Sequence, residues 1–212
     1  MKTGSGKSKR WEKFKRWEWD MQFKIDPKTG FMPAKSAQEI YDQYIRTLPK
    51  STRSTTSNWS SLGVTGLGRV NCIAFHPSDV NTYWIGAPSG GLWVTNNNGA
   101  SWTCLTDKNA VLGVSDIIIP SDYNTSKTIY IATGERDAYD NSSVGVLRST
   151  NGGATWTNTG LSFQLSSYAK VTRLLLDPNN NQILIAATTT GVFKTINGGA
   201  SWSSLTTKVL LI

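Results

Sequence analysis

Glu135, Asp137, Asp140 and Asn141 crowd into one segment, GERDAYDNSSVG at 134–145, and are the residues here best placed to do chemistry. Four oxygen-bearing side chains so close together suit a hard cation such as Ca²⁺, which takes oxygen ligands. The segment lacks the central glycine and closing bidentate glutamate of a helix–loop–helix calcium site. The same carboxylates can also be read as an acid/base pair for glycoside hydrolysis, although nearness in sequence does not set the separation that reaction needs. A solvated polar loop is the plainer reading. Long loops are nevertheless where binding and catalysis concentrate.

Other chemistries find little support. His76 is the single histidine, in an HPSD turn, and neither a serine nor a cysteine can be argued to partner it as a nucleophile. GSGKS at 4–8 has the look of a phosphate loop, but no strand leads into it and its glycine spacing is wrong. Cys72 and Cys104 are the only cysteines, which leaves one bridge or two buried thiols open and excludes a dense disulfide framework. Trp84, Tyr123, Tyr139 and Tyr168 are candidates to hold a glycan or peptide. Each is equally well explained as packing. Trp84 and Tyr139 are carried forward as the ligand-binding candidates.

The elements that must position these residues announce themselves as a repeat. TNNNGASW at 95–102, STNGGATW at 149–156 and TINGGASW at 195–202 share one pattern: hydroxyl, any residue, Asn, any residue, Gly, Ala, hydroxyl, Trp. The tryptophans lie 54 and 46 residues apart, the length of one four-stranded propeller blade. Asn97, Asn151 and Asn197 can bond the backbone within a turn. Gly99, Gly153 and Gly199 supply a positive φ. Trp102, Trp156 and Trp202 can bury a ring and still offer an N–H. The nine are assigned a structural role. Before each box come an apolar strand (RVNCIAF, VSDIII, VTRLLL), a turn with proline, a second strand (TYWIGA, TIYIAT, QILIAA) and a glycine-opened third. WSSL at 59–62 matches WTCL at 102–105 and WSSL at 202–205, and reads as the outer strand of a preceding or closing blade.

The boxes resemble the Asp-box, or BNR, repeat, Ser/Thr-x-Asp-x-Gly-x-Thr-Trp, with Asn in place of Asp in all three. The stretch GRVNCIAFHPSDVNTYWIGAPSGGLWVTNNNGASW is similar to one blade of secreted sortilin-type and xyloglucanase-type propellers, and the likeness runs over residues 57–206. The resemblance implies an extracellular or cell-surface location. It also implies either a scaffold that binds protein or glycan through blade loops, or a glycoside hydrolase. Xyloglucanases of this type place a catalytic Asp just before a Gly-Gly pair in the first blade, where this chain has Pro88-Ser89. Sialidases open with Arg-Ile-Pro, whereas Arg69 is followed by Val70-Asn71. The scaffold is therefore the leading expectation and no catalytic residue is assigned. The alternative is a glycosidase drawing on carboxylates of the 134–145 loop or on residues beyond this chain. No cofactor is expected for either, with Ca²⁺ at the loop as the one candidate ion.

Two domains follow: a basic, aromatic extension over 1–56 and an all-β propeller segment of about three blades over 57–212. The net charge is +8, but residues 1–50 hold 12 Lys/Arg against 6 Asp/Glu. The repeats are nearly neutral, which argues against a nucleic-acid partner. Trp11, Phe14, Trp17 and Trp19 lie among lysines in RWEKFKRWEWDMQFK and are expected to pack on the propeller. A helix is expected over 36–48, capped by Ser36 with Glu39, striped by Ile40, Tyr41, Tyr44, Ile45 and Leu48, and stopped by Pro49. It too is expected to dock on the propeller. No apolar run is long enough for a membrane-spanning helix. No signal peptide is evident. Three blades are fewer than closed propellers use. Further blades or self-association are expected to complete the fold. Asn58, Asn124 and Asn141 head glycosylation sequons.

Overall fold

A computed structural model describes residues 9–32, 35–47, 69–136 and 141–206. Leu48, Pro49, Asn58, the WSSL at 59–62, Asp137, Tyr139 and Asp140 lie outside them, as does the expected domain boundary at 56/57. The chain divides into two compact units, 1–34 and 35–212.

In the first unit, helix α1 spans Lys9–Met21. Trp11, Phe14 and Trp17 are spaced three apart, so they share one side of the helix. Their rings tilt against one another at 5.8 and 5.9 Å, and Trp19 meets Phe23 edge-on at 5.3 Å. All five rings remain substantially exposed. The second unit opens with α2, Ala37–Thr47. Its cap forms as the sequence implies. The Glu39 carboxylate accepts the Ser36 N–H at 2.7 Å, and the Ser36 hydroxyl accepts the Glu39 N–H at 3.2 Å. The stripe of Ile40, Tyr41, Tyr44 and Ile45 is exposed, so the expected docking of this face is not seen.

The rest of the unit is twelve strands in three antiparallel sheets of four, each in sequence order. The first holds β1 (Cys72–Phe75), β2 (Tyr83–Ala87), β3 (Gly91–Thr95) and β4 (Thr103–Cys104). The second holds β5 (Val114–Ile118), β6 (Ile129–Thr133), β7 (Gly145–Ser149) and β8 (Thr157–Ser162). The third holds β9 (Val171–Asp177), β10 (Asn180–Thr188), β11 (Gly191–Thr195) and β12 (Ser203–Thr206). Strand β5 packs on β1 and β2, and β9 packs on β5 and β6. The first strand of each sheet therefore lies innermost, as blades of a propeller require. Two apolar cores fill the gaps between sheets. One is built around Trp84, Leu92, Ile117 and Ile131, the other around Tyr130, Val146, Leu174 and Leu184.

The boxes link the third and fourth strands, and each is a closed hydrogen-bond circuit. In the first, the buried Thr95 hydroxyl accepts the Gly99 N–H at 2.8 Å and donates to Asn97 Oδ1 at 2.9 Å. That same oxygen accepts the Ser101 N–H, and Asn97 Nδ2 donates to Ser101 Oγ, both at 2.8 Å. The circuit recurs with Ser149, Asn151, Gly153 and Thr155, and with Thr195, Asn197, Gly199 and Ser201. The leading hydroxyl, not singled out from sequence, is the hub. Gly99 sits at φ +87, which a Cβ resists. Replacing Asn97 by alanine breaks three of these bonds and should cost about 1–2 kcal/mol by thermal denaturation. Asn97→Asp keeps the acceptor and lets the Ser101 hydroxyl turn donor, so its stability at neutral pH should stay within about 0.5 kcal/mol of the parent.

Cys72 and Cys104 are free thiols. They sit on the two edge strands of one sheet, β1 and β4, about 14 Å apart at roughly 4.8 Å per strand, too far to be bridged to each other. Burial pushes the Cys72 thiol up to about 12. It is therefore a packing residue rather than a nucleophile.

Candidate functional site

The 134–145 loop joins β6 to β7, at the same end of the sheets as the β2–β3 turn and the starts of β5 and β9. Main-chain bonds tie that end together: Gly91 N to Leu112 O at 2.9 Å, Gly134 N to Gly113 O at 3.0 Å, and Thr189 N to Lys170 O at 3.0 Å. A buried knot fixes the returning side of the loop. Thr133 Oγ1 donates to Gly145 O at 2.6 Å and accepts the Val144 N–H at 3.0 Å, while Ser143 Oγ accepts the Gly145 N–H at 3.0 Å. The loop therefore leaves and re-enters the sheet from rigid roots.

Glu135 stands two residues beyond the end of β6 and is 3% exposed. Its carboxylate forms an ion pair with Arg69, whose own side chain is half exposed. Asn141 Nδ2 lies 3.1 Å from Glu135 Oε2, 2.8 Å from Pro88 O and 2.7 Å from Ser89 Oγ. One amide nitrogen with two hydrogens is thus shared among three acceptors. It ties the loop of the second sheet to the β2–β3 turn of the first. A carboxylate consequently sits one side chain away from Pro88-Ser89, although the sequence around Pro88 holds no acid.

Of the four loop residues singled out from sequence, the structure brings Glu135 and Asn141 together. Asp137 and Asp140 lie outside the described residues. The Glu135 charge is met by a guanidinium, and Asn141 offers it the amide nitrogen rather than the oxygen a cation would take. Among the described residues, no group of three His, Cys, Asp or Glu could hold a metal. Asn141 also heads a sequon, but its amide is spent inside the fold.

Trp84, read as a candidate ligand contact, is a core residue. It is 1% exposed and packs on Tyr123 at 5.0 Å, edge-on, with His76 stacked 6.1 Å from it. Tyr123 is buried as well, Tyr168 is exposed, and Tyr139 lies outside the described residues. His76 Nδ1 accepts the N–H groups of Ser78 and Asp79 at 3.2 and 3.0 Å, which makes it a turn residue. Arg69 as the partner of Glu135 and Ser89 as the partner of Asn141 are the members that sequence reasoning missed. Their signal was sheet adjacency, which no local pattern carries. A separate open cavity of about 410 Å³ is lined by Gln38, Tyr41, Asp42, Ile45, Arg46 and Lys108, and holds none of these residues.

No protein-family profile matches the chain. Two xyloglucanases are similar to it. One, from Paenibacillus sp., is 30% identical over 155 residues, 65% of this chain and 14% of that protein. The other, from Hypocrea jecorina, is 29% identical over 133 residues, 56% of this chain and 15% of that protein. The chain thus spans about a seventh of the length of the curated relatives it matches. Among solved structures, an ancestral GH74 enzyme superposes with a TM-score of 0.53 at 25% identity, over 65% of this chain and 18% of that one. The GH74 xyloglucanase from Xanthomonas campestris gives 0.50 at 24%, over 64% and 20%. With three sequential four-stranded sheets packed through their first strands, the chain has the β-propeller fold.

Proposed function

We propose that these blades belong to a glycan-acting propeller, a glycoside hydrolase of the xyloglucanase kind working outside the cell. The observation that supports this best is the likeness to two xyloglucanases across the repeat region. The turn boxes fit the same lineage as Asp-box repeats that have exchanged Asp for Asn. On this reading the glycan lies over the end of the sheets where the β2–β3 turn meets the 134–145 loop. Glu135, paired with Arg69, is the described carboxylate that suits the base or nucleophile role. The acid partner comes from Asp137, Asp140 or residues beyond this chain, since hydrolysis takes two carboxylates about 5–9.5 Å apart. The loop carboxylates are assigned to catalysis here in preference to Ca²⁺.

A second reading, a propeller that binds protein or glycan without turnover, is favoured by one feature. Pro88-Ser89 occupy the place where the resemblance puts an acid, and the nearest carboxylate is engaged by Arg69. A panel of xyloglucan and β-glucans, assayed for reducing-end release and for binding, separates the two. The hydrolase reading expects release from at least one polymer, lowered about a hundredfold or more in Glu135→Gln while binding persists. Binding with no release from any polymer would establish the scaffold instead.

A further inference from the structure

Tyr168 is held in a backbone conformation that its side chain resists. It closes the 3₁₀ turn Leu165–Ser167 at φ +54. Glycine or asparagine is the usual occupant of such a position, because a Cβ is crowded there. Asn98 and Lys127 are the other non-glycine residues in this region among those described. Asparagine tolerates it, and the Lys127 ammonium is held over the Tyr123 ring at 5.1 Å. The Tyr168 side chain is instead 56% exposed, so packing does little to offset the strain.

The neighbours enforce that conformation and set where the ring stands. The Ser167 hydroxyl donates to Gln164 O at 2.7 Å and accepts the Ala169 N–H at 3.3 Å, bracketing the tyrosine. Ala169 and Lys170 are buried behind it. The Lys170 N–H donates to Thr189 Oγ1, and Lys170 O accepts the Thr189 N–H, both at 3.0 Å. The ring therefore rides on a fixed stem. The 163–170 loop joins β8 to β9, at the end of the sheets that carries Glu135. Its Phe163 N–H donates to Val144 O, on the returning side of the 134–145 loop, at 3.1 Å. A Cβ on Gly134 would come within 3.5 Å of the Lys170 β and γ carbons, so Lys170 packs on the residue before Glu135. Tyr168 is two residues from Lys170, no more than about 7 Å along the chain. It stands on the connection between the second and third sheets, both described, and away from the two outward flanks of the stack.

We infer that Tyr168 is a sugar-stacking platform, its ring receiving the C–H face of a pyranose unit in the same glycan that passes Glu135. The assignment rests on the glycan-acting function proposed above. An aromatic ring offers a flat apolar face with negative charge at its centre, which suits the weakly positive C–H groups of a sugar ring. Tyrosine supplies that area with few rotatable bonds, and a stem already fixed loses little further freedom when the sugar docks. Glycine at 168 would relax the backbone but discard the ring. Strain that persists because its neighbours over-determine it is characteristic of ligand clamps.

Binding of the full chain to the panel of xyloglucan and β-glucans, with melting curves recorded alongside, tests this. Tyr168→Ala should weaken binding to the recognised polymer about tenfold or more. Tyr168→Phe keeps the stacking face and should bind within about threefold of the parent. Tyr168→Gly should lose binding as the alanine variant does, while its melting temperature holds or rises, because glycine takes φ +54 freely. A packing residue would do the reverse, losing stability and keeping binding. Unchanged binding in Tyr168→Ala, or a lowered melting temperature in Tyr168→Gly, would overturn the platform and leave the glycan reading standing. A parent chain that binds no polymer of the panel would remove the glycan reading, and the platform with it.

Discussion

Trp84→Ala should lower the melting temperature more than any other single truncation proposed for the described residues. The indole is fully buried between the first and second sheets, against Tyr123 and His76. Removing it deletes apolar contacts on both sides and leaves a cavity that rigid sheets cannot collapse into. Truncations of this kind cost about 3–5 kcal/mol. For a domain of this size that is a drop of roughly 6–20 °C. The effect belongs to stability alone: on the proposed function, glycan binding measured well below the transition should be unchanged. A loss of binding with the melting temperature intact would return Trp84 to the role suggested by its sequence.

The second large effect is expected at Asp116. Its carboxylate is buried on β5 and reaches across to the third sheet, where Oδ2 accepts the Leu174 N–H at 2.9 Å and lies 3.5 Å from Arg173 Nε. Oδ1 accepts the N–H of Ile117 at 3.0 Å. Asp116→Ala therefore leaves a buried backbone donor and a guanidinium without their acceptor at the same moment. Each unsatisfied buried donor costs about 1–3 kcal/mol, and the lost ion pair adds to it, so about 2–4 kcal/mol is expected. The signature is local. Exchange of the Leu174 amide should speed up far more than that of Leu92, which lies in the first sheet and is untouched. Uniform acceleration across all three sheets would mean that Asp116 does not hold the second and third together. Neighbouring contacts reinforce that joint. The Ser115 hydroxyl donates to Val171 O, and the Tyr130 hydroxyl donates to Gly198 O at 3.0 Å. Burial raises the Tyr130 phenol, which keeps it a donor.

The fold was legible because its punctuation is local. The Asn–Gly–Trp boxes, the capped helix and the glycine-opened strands are each set by neighbours within eight residues, and all appear where the pattern implies. Register was less legible. TYWIGA, TIYIAT and QILIAA look equivalent letter for letter, yet the structure matches Trp84 and Tyr130 with Ile185 rather than Leu184. The β10–β11 turn is one residue shorter than the β2–β3 turn, since Thr188 pairs with Gly191 where Ala87 pairs with Gly91, and that missing residue shifts the strand by one. The site was the least legible part. Asn141 and Glu135 stood out as loop oxygens, but their partners Arg69 and Ser89 come from another sheet. Trp84 misled for a related reason. A tryptophan is plausible both in a core and on a binding face, and only the packing of Tyr123 against it decides.

The box circuits carry one more consequence, for behaviour in acid. Hydroxyls, amides and main-chain groups make every bond in them, and none of these takes up a proton over the ordinary pH range. A carboxylate at Asn97, Asn151 or Asn197 would be neutralised as pH fell through the carboxylate range, loosening three hinges at once. With Asn there is nothing to neutralise. The three turns should therefore keep their circuits in acid that would loosen a carboxylate version of the same repeat.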